Sequence, residues 1–136
     1  MNLLGISGGG WQIVWLSELI PEIDLSISYA GSMRLSYRIL PTFFWGSDWE
    51  NNFSNVYREF SYWKIYALRT FDSKGINSRK SYFVFNDKDA CCFSDPQASK
   101  FKMVVKLLNQ KNWNVLIDKS NKHSMNVDIV NRILSF

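Results

Sequence analysis

The sequence predicts one α+β domain over residues 1–136, with a mainly antiparallel sheet of about five to seven strands and two or three packed helices. Apolar and polar residues alternate over residues 23–29 and again over 33–39, which is the period of a half-buried strand. Aromatic residues recur at helical spacing over residues 48–60, and aromatic and β-branched residues fill residues 80–86. Both periods within one short chain indicate a mixed fold.

A β-hairpin is predicted near the start of the chain. Residues 23–29 and 33–39 are its strands, and Ala30-Gly31-Ser32 is its turn, because glycine adopts the positive φ that tight turns need. Residues 11–16 predict a preceding strand, and the three glycines at 8–10 are interpreted as a flexible lead-in. These glycines do not form a phosphate loop, since no Gly-Lys-Ser/Thr follows them.

A helix followed by an antiparallel meander is predicted for the middle of the chain. A capping box at Ser47 marks the start of the helix over residues 48–60. Three segments rich in aromatic and β-branched residues are separated by residues that favour turns. They predict consecutive strands over residues 62–71, 80–86 and 90–93.

The last third of the chain predicts a helix, a strand and a second helix. Asp95-Pro96 suits a helix start, because aspartate accepts hydrogen bonds from free backbone N–H groups and proline tolerates the first helical position. Residues 113–117 predict a strand, and residues 124–135 predict the final helix.

Charge and composition suggest a location inside the cell and leave the partner open. The net charge is +4, and residues 69–136 carry twelve Lys/Arg against six Asp/Glu. This basic half suits an acidic protein, RNA or DNA, and it is equally compatible with a plain solvated surface. No apolar run is long enough to span a membrane, and no signal peptide is recognised. The adjacent pair Cys91 and Cys92 fits a reducing compartment, so we expect a cytoplasmic protein.

No catalytic group stands out in the sequence. The single histidine, His123, lies in a polar loop and is interpreted as a surface residue. It could pair with Asp118 for acid–base work, but no spacing fixes their geometry. We recognise no Gly-x-Ser-x-Gly turn that would carry a serine nucleophile, no base beside either cysteine and no metal-ligand spacing. We therefore expect a binding protein that needs no cofactor or metal, and not an enzyme. A small hydrolase or nuclease that uses His123 is a further alternative.

Two kinds of binding surface are compatible with the residues. Aromatic side chains on a sheet can stack bases while neighbouring lysines contact phosphates, so a nucleic-acid-binding module is one alternative. The residues for such a platform would be Tyr62, Tyr66, Tyr82 and Phe83. A protein-binding loop is the other alternative, because residues 69–80 combine both signs of charge in a hairpin-like connection.

A family resemblance favours the protein-binding alternative. Four elements follow one another over roughly residues 30–93. They are the strand segment Leu35-Ser36-Tyr37, the helix with Asp48-Trp49, the strand Ile65-Tyr66-Ala67-Leu68 and the aromatic strand Tyr82-Phe83-Val84-Phe85. This order resembles immunity proteins of bacterial contact-dependent growth-inhibition systems. The resemblance implies a small cytosolic protein that binds and neutralises a cognate toxin domain.

The expected toxin-contacting residues are the charged side chains of the region 69–89. Both the mixed charge of this region and the family resemblance point to it. The residues are Arg69, Asp72, Lys74, Arg79, Lys80, Asp87 and Lys88.

Overall fold

The computed structural model describes residues 1–33, 54–89, 93–120 and 122–135. Strands and helices alternate along most of these residues. In chain order, the elements are β1 Asn2–Ile6, α1 Gly8–Leu19, β2 Leu25–Tyr29, α2 Ser54–Glu59, α3 Tyr62–Leu68, β3 Lys80–Asn86, α4 Gln97–Leu107, β4 Trp113–Asp118 and α5 Val127–Leu134.

The four described strands form one parallel sheet in the order β1-β2-β3-β4. The register places Gly5 beside Ser28, Ser28 beside Phe83 and Phe83 beside Val115. Parallel neighbours cannot be joined by a tight turn, so helices lie in each connection between strands. The predicted antiparallel sheet of about five to seven strands is therefore wrong, although the mixture of helix and strand is correct. The described residues also contain five helices, where two or three were predicted.

The predicted hairpin is not compatible with this sheet. β2 confirms the strand predicted at residues 23–29, but β1 occupies one of its edges and β3 occupies the other. A strand at residues 33–39 would have no edge of β2 left for pairing. Residues 34–39 themselves lie outside the described residues.

The strand predicted at residues 11–16 is part of helix α1. The glycines at 8–10 form the first turn of this helix and are not a flexible lead-in. Ile13, Val14 and Ser17 are buried at i, i+1 and i+4, so one side of the helix faces the sheet. The apolar run in residues 11–16 thus reflects a helix covered by neighbouring elements, which short apolar runs do not distinguish from a strand.

The strand predicted at residues 62–71 begins as helix α3. The hydroxyl of Ser61 accepts a hydrogen bond from the backbone N–H of Lys64 at 3.3 Å and caps the helix start. Tyr62, Ile65 and Tyr66 are buried at i, i+3 and i+4, which is the helical period. Their burial outweighs the strand preference of aromatic residues, which depends on context.

The C-terminal elements follow the sequence prediction. β3 has the predicted bounds, and β4 and α5 lie within one to three residues of theirs. α4 begins directly after Asp95-Pro96, and Asp95 Oδ1 accepts from the backbone N–H of Ser99 at 2.9 Å. Two other predictions fall partly outside the described residues: residues 48–53 of the predicted helix, whose end forms α2, and residues 90–92 of the predicted fourth strand.

One face of the sheet holds an aromatic core. Tyr66 of α3 and Phe101 of α4 contact Phe83 of β3, with ring centroids 4.8 and 5.5 Å apart. Trp113 of β4 joins them at 6.0 Å from Phe83, and all four side chains are buried. Much of the aromatic content therefore builds the protein interior, where large rings contribute most burial.

The opposite face of the sheet meets the start of α5. Side chains alternate between the faces of a strand, so Tyr29 and Asp118 point away from the aromatic core. The backbone N–H of Asn126, the cap residue of α5, donates to Tyr29 Oη at 3.2 Å. α5 then buries Ile129, Val130 and Ile133.

No helix within the described residues could cross a membrane. The longest of them, α1, has 12 residues, whereas a bilayer needs about 20. This agrees with the absence of a long apolar run in the sequence.

Candidate active site

Ser7 occupies a strained turn between strand β1 and helix α1. Its φ of 54° and ψ of −129° lie in a region that residues other than glycine rarely adopt. Two backbone hydrogen bonds hold the turn: Ser7 N–H donates to Tyr29 O at 2.9 Å, and Trp11 N–H donates to Ser7 O at 3.0 Å. Such strain persists only where the surrounding structure fixes it, and it concentrates at functional sites.

Glycines on both sides of Ser7 allow the turn to be this tight. A Cβ atom added at Gly5 would lie 2.6 Å from the carbonyl oxygen of Gly9 and 2.8 Å from Ile13 Cδ1. The strand and the helix therefore approach each other more closely than any side chain at Gly5 would permit. Gly5-Ile6-Ser7-Gly8-Gly9 matches the Gly-x-Ser-x-Gly pattern, and its strand–turn–helix context is the one that pattern requires.

The Ser7 hydroxyl does not cap helix α1, although Ser7 is the residue in the cap position. Its side chain is half-buried at the carboxyl end of β1. The next residue, Gly8, is the first of α1, so its N–H has no acceptor within the helix. Acyl-transfer enzymes place a nucleophilic hydroxyl next to a backbone N–H that binds the oxyanion. The Ser7 hydroxyl, which does not cap the helix, and the Gly8 N–H, at the positive end of the helix, are groups of these two kinds.

His123 and Asp89 form a hydrogen-bonded pair. Nδ1 of His123 lies 2.6 Å from Oδ2 of Asp89, whose side chain is fully buried, whereas that of His123 is 27% exposed. The other ring nitrogen, Nε2, is buried and has no hydrogen-bond partner among the residues that the structure describes. A carboxylate on Nδ1 fixes the tautomer in which Nε2 is a free acceptor, the form a general base needs. The pairing with Asp118 considered from the sequence is therefore wrong.

Ser7 and the His123–Asp89 pair lie at the same edge of the sheet. In a parallel sheet all carboxyl ends share one edge, and these three residues follow β1, β4 and β3 respectively. Two strand spacings separate β1 from β3, about 10 Å, and the loop after β4 brings His123 back to β3. No hydrogen bond joins Ser7 to His123 Nε2. This contact is often long in serine enzymes without substrate.

Of Ser7, Asp89 and His123, only Ser7 could have been recognised as a site residue from a pattern in the sequence. The Gly-x-Ser-x-Gly pattern at residues 5–9 was missed because the triple glycine was interpreted as a flexible segment. Asp89 and His123 are 34 residues apart, and no spacing rule pairs residues that a crossover connection brings together. Asp89 is also one of three aspartates between β3 and α4, and only the structure distinguishes it from Asp87 and Asp95.

Two of the predicted toxin-contacting residues are buried. Arg69 is 1% exposed, donates to Ser17 Oγ and Ser26 Oγ at 2.8 Å each, and stacks on Phe83. Arg79 is 4% exposed and donates to backbone carbonyls, among them that of Ser17 at 2.6 Å. Burial lowers the pKa of both guanidinium groups, and a nearby carboxylate only partly offsets it. These arginines connect α1, α3 and the sheet, so they offer no exposed charge to a partner.

The other predicted contact residues are divided between two parts of the surface. Lys74 and Lys80 are exposed. Asp72 and Lys74 precede β3 and Lys80 is its first residue, so all three lie at the amino edge of the sheet. Asp72 itself holds its turn, since Oδ1 accepts from the N–H groups of Lys74 and Ile76 at 2.9 Å each. Asp87 and the exposed Lys88 follow β3 at the opposite edge, beside Asp89. The structure therefore does not bring the predicted contact residues together.

The predicted base-stacking platform is mostly interior. Tyr62, Tyr66 and Phe83 are 7%, 0% and 0% exposed, so their rings cannot stack on bases. Tyr82 is half-buried and points to the other face of the sheet from Phe83. An aromatic nucleic-acid platform made of these four residues is therefore wrong.

A cavity of about 490 Å³ lies at the amino edge, far from Ser7. Glu18, Leu19, Leu68, Phe71 and Arg79 are among its lining residues. Burial raises the pKa of the Glu18 carboxyl, against the opposing attraction of Arg79 and Arg69. The described residues that line the cavity include no serine, cysteine or histidine, so they offer no alternative to the Ser7 edge as a reaction site.

No three His, Cys, Asp or Glu side chains converge within residues 1–33, 54–89, 93–120 and 122–135. The described residues therefore contain no candidate metal site. No protein-family model matches the chain, and a comparison with curated proteins finds no match. Its function must therefore be inferred from the geometry and chemistry of Ser7, Asp89 and His123.

Proposed function

We propose that the protein is a serine hydrolase that cleaves carboxylic esters. Ser7 is the nucleophile, His123 is the general base and acid, and Asp89 orients the imidazole. This proposal replaces the expectation that the protein is not an enzyme.

One relationship supports the proposal above all others. A serine in a strained strand-to-helix turn shares a sheet edge with a histidine–aspartate pair. The Nε2 atom of that histidine has no hydrogen-bond partner in the described part of the chain. The three residues also follow the chain order Ser, Asp, His, each after a parallel strand. This is the order and placement of the triad in hydrolases that use a Gly-x-Ser-x-Gly turn.

Acylation begins with attack of Ser7 Oγ on the ester carbonyl carbon. His123 Nε2 takes the hydroxyl proton, and the Asp89 carboxylate stabilises the resulting imidazolium through Nδ1–H. The carbonyl oxygen becomes an oxyanion, which the N–H of Gly8 at the start of α1 binds. Collapse of the tetrahedral intermediate breaks the bond to the alcohol oxygen, which leaves with the proton from His123 Nε2.

Deacylation repeats these steps with water. His123 Nε2 takes a proton from a water molecule, whose oxygen attacks the carbonyl carbon of the Ser7 ester. The same Gly8 N–H binds the second oxyanion. Release of the carboxylic acid returns the proton from His123 to Ser7 Oγ, so the resting enzyme is regenerated.

The direct test is hydrolysis of short-chain p-nitrophenyl esters by the full chain and by Ser7→Ala. We expect saturable hydrolysis by the wild type and a loss of about 10³-fold or more in kcat for the variant. Ser73→Ala is the matched control, since Ser73 is exposed in a turn remote from the triad. Equal rates for the wild type and both variants, or no rate above that of buffer, would refute the proposal.

The toxin-neutralising role and the cytoplasmic location remain predictions from the sequence. Lys74 and Lys80 are exposed at the amino edge of the sheet and Lys88 is exposed at the opposite edge, so they could contribute only to two separate contact surfaces. The burial of Arg69 and Arg79 removes two of the seven residues on which that role was based. A hydrolase that also binds a protein partner would be consistent with both the hydrolase proposal and the toxin-neutralising role. Copurification with a toxin domain encoded by a neighbouring gene would test the toxin-neutralising role independently.

A further inference from the structure

The loop that carries His123 is tied to the sheet on both sides of the histidine. Before His123, the carboxylate of Asp118 and the hydroxyl of Ser120 accept hydrogen bonds from Asn86 Nδ2, at 3.3 and 2.6 Å. After His123, the carbonyl of Ser124 accepts from the same Nδ2 at 2.9 Å. One amide group at the end of β3 therefore holds both arms of the loop.

Tyr29, at the end of β2, contacts the same two arms. Its hydroxyl donates to Asp118 Oδ2 at 2.5 Å and accepts from the backbone N–H of Asn126 at 3.2 Å. Asn126 in turn donates from Nδ2 to Asp118 Oδ1 at 3.3 Å. Tyr29, Asn86 and Asp118 are all buried, so these bonds form away from competing water.

The carboxylate of Asp118 is the centre of this network. It accepts from Tyr29, Asn86 and Asn126, and an ionised carboxylate is an acceptor only. An asparagine at this position would turn an NH₂ group toward one of three donors. The three donors thus give the Asp118 carboxylate a structural role without assigning it to the reaction.

We propose that Tyr29 and Asn86 are positioning residues that aim His123 Nε2 at Ser7. This inference rests on the proposed hydrolase function. The backbone adds to the effect, because the N–H groups of Asp87 and Lys88 donate to the carbonyls of Asp118 and Ser120, at 2.7 and 3.3 Å. The loop after β3, which carries Asp89, and the loop after β4, which carries His123, are therefore held in register by backbone hydrogen bonds. The side chains of Tyr29 and Asn86 then fix the position of the His123 ring.

Tyr29→Phe tests the proposal by removing one oxygen atom. We expect kcat to fall about 10- to 100-fold with KM within about twofold, because a small displacement of the base slows the chemical step without affecting binding. Tyr82→Phe is the matched control, since Tyr82 lies next to Ile27 on the adjacent strand and makes no hydrogen bond among the described residues. Equal kcat values for the two variants would overturn the proposal.

The single histidine provides a second readout that does not depend on activity. Its ring resonances in a proton NMR spectrum belong to His123 alone, and the downfield N–H proton reports the bond to Asp89. We expect this proton to broaden or shift in Tyr29→Phe and to stay unchanged in Tyr82→Phe. An unchanged signal in both variants would refute a positioning role.

The two readouts separate failure of this inference from failure of the hydrolase proposal. If the wild type does not hydrolyse esters, the NMR comparison still decides whether Tyr29 orients the ring. If the wild type is active and Ser7-dependent but Tyr29→Phe matches the control in both readouts, only the positioning role fails. Should Tyr29→Phe not fold, Ser120→Ala removes one acceptor of Asn86 near the surface and is expected to lower kcat in the same way.

Discussion

Gly31, just beyond β2, lies directly against the backbone of Gly10 in α1: a Cβ atom at Gly31 would come within 2.4 Å of the Gly10 carbonyl carbon. Ser28 Oγ donates to the Gly10 carbonyl at 2.9 Å and fixes the same contact. The first turn of α1 therefore rests on the end of β2, and this support holds the Ser7 turn in place. A glycine run that looks flexible in the sequence is a rigid packing surface.

Gly31→Ala is expected to destabilise the protein by about 1–3 kcal/mol, since its methyl group meets backbone atoms that cannot rotate away. Gly9→Ala is the matched control, because a Cβ atom at Gly9 would meet no atom within 4 Å beyond its chain neighbours and the adjoining backbone of its own helix. Urea denaturation of both variants measures the difference. If the two midpoints coincide, the close packing of Gly31 on Gly10 is wrong.

Ser7→Gly is expected to stabilise the protein by about 1 kcal/mol while abolishing hydrolysis, because glycine adopts a positive φ without strain. Ser7→Ala loses the same nucleophile but keeps the strain, so its stability should stay close to that of the wild type. Thermal unfolding of the wild type, Ser7→Gly and Ser7→Ala measures how much the strained backbone at residue 7 lowers stability. A glycine variant no more stable than the alanine variant would contradict the strained turn.

Asp89→Asn is expected to lower kcat by about 10⁴-fold with little change in structure, because an amide on Nδ1 favours the wrong imidazole tautomer. Asp128→Asn, on the exposed side of α5, is the control for the loss of one negative charge. Steady-state kinetics on one ester compares them. Similar rates for both variants would exclude Asp89 as the orienting acid.

The free energy of unfolding of Glu18→Gln, relative to that of the wild type, is expected to increase as the pH rises. Burial raises the pKa of Glu18 above its ordinary 4.5, so the unfolded chain loses this proton first. Wild-type stability therefore falls as the pH rises from about 4.5 through the pKa of the folded state. The variant has no such group and should escape that loss.

Urea titrations at several pH values between 4.5 and neutrality measure this difference in the free energy of unfolding. Glu22→Gln is the control, because Glu22 is exposed one turn beyond α1. A difference between Glu18→Gln and the wild type that shrinks as the pH rises would reverse the sign and refute the prediction.

The sequence predicted those elements whose local signals and packing agree. The alternation around Ile27, the β-branched and aromatic run ending at Asn86, and the helix start at Asp95-Pro96 all carry unambiguous local patterns. Strand direction was missed because it depends on crossover connections and not on the strands themselves. The alternating pattern at β2 suggested a half-exposed antiparallel strand, yet Ser26 and Ser28 are buried and bonded to Arg69 and Gly10.

The candidate site was less predictable than the fold. Arg69 and Arg79 looked like surface charges, because a sequence does not reveal which arginine a helix end and a sheet enclose. His123 looked like a loop residue, and it is one, but its partner Asp89 comes from another loop at the same sheet edge. Only Ser7 had a recognisable local motif.

Labelling with a fluorophosphonate probe tests the central claim most directly, since the reagent forms a covalent bond with serines activated by a neighbouring base. Peptide mass spectrometry of the labelled chain should place one adduct on Ser7, and Ser7→Ala and His123→Ala should each remain unlabelled. A native chain that takes up no probe, or an adduct on another serine with Ser7 unmodified, would contradict the assignment of Ser7, His123 and Asp89 as a catalytic triad.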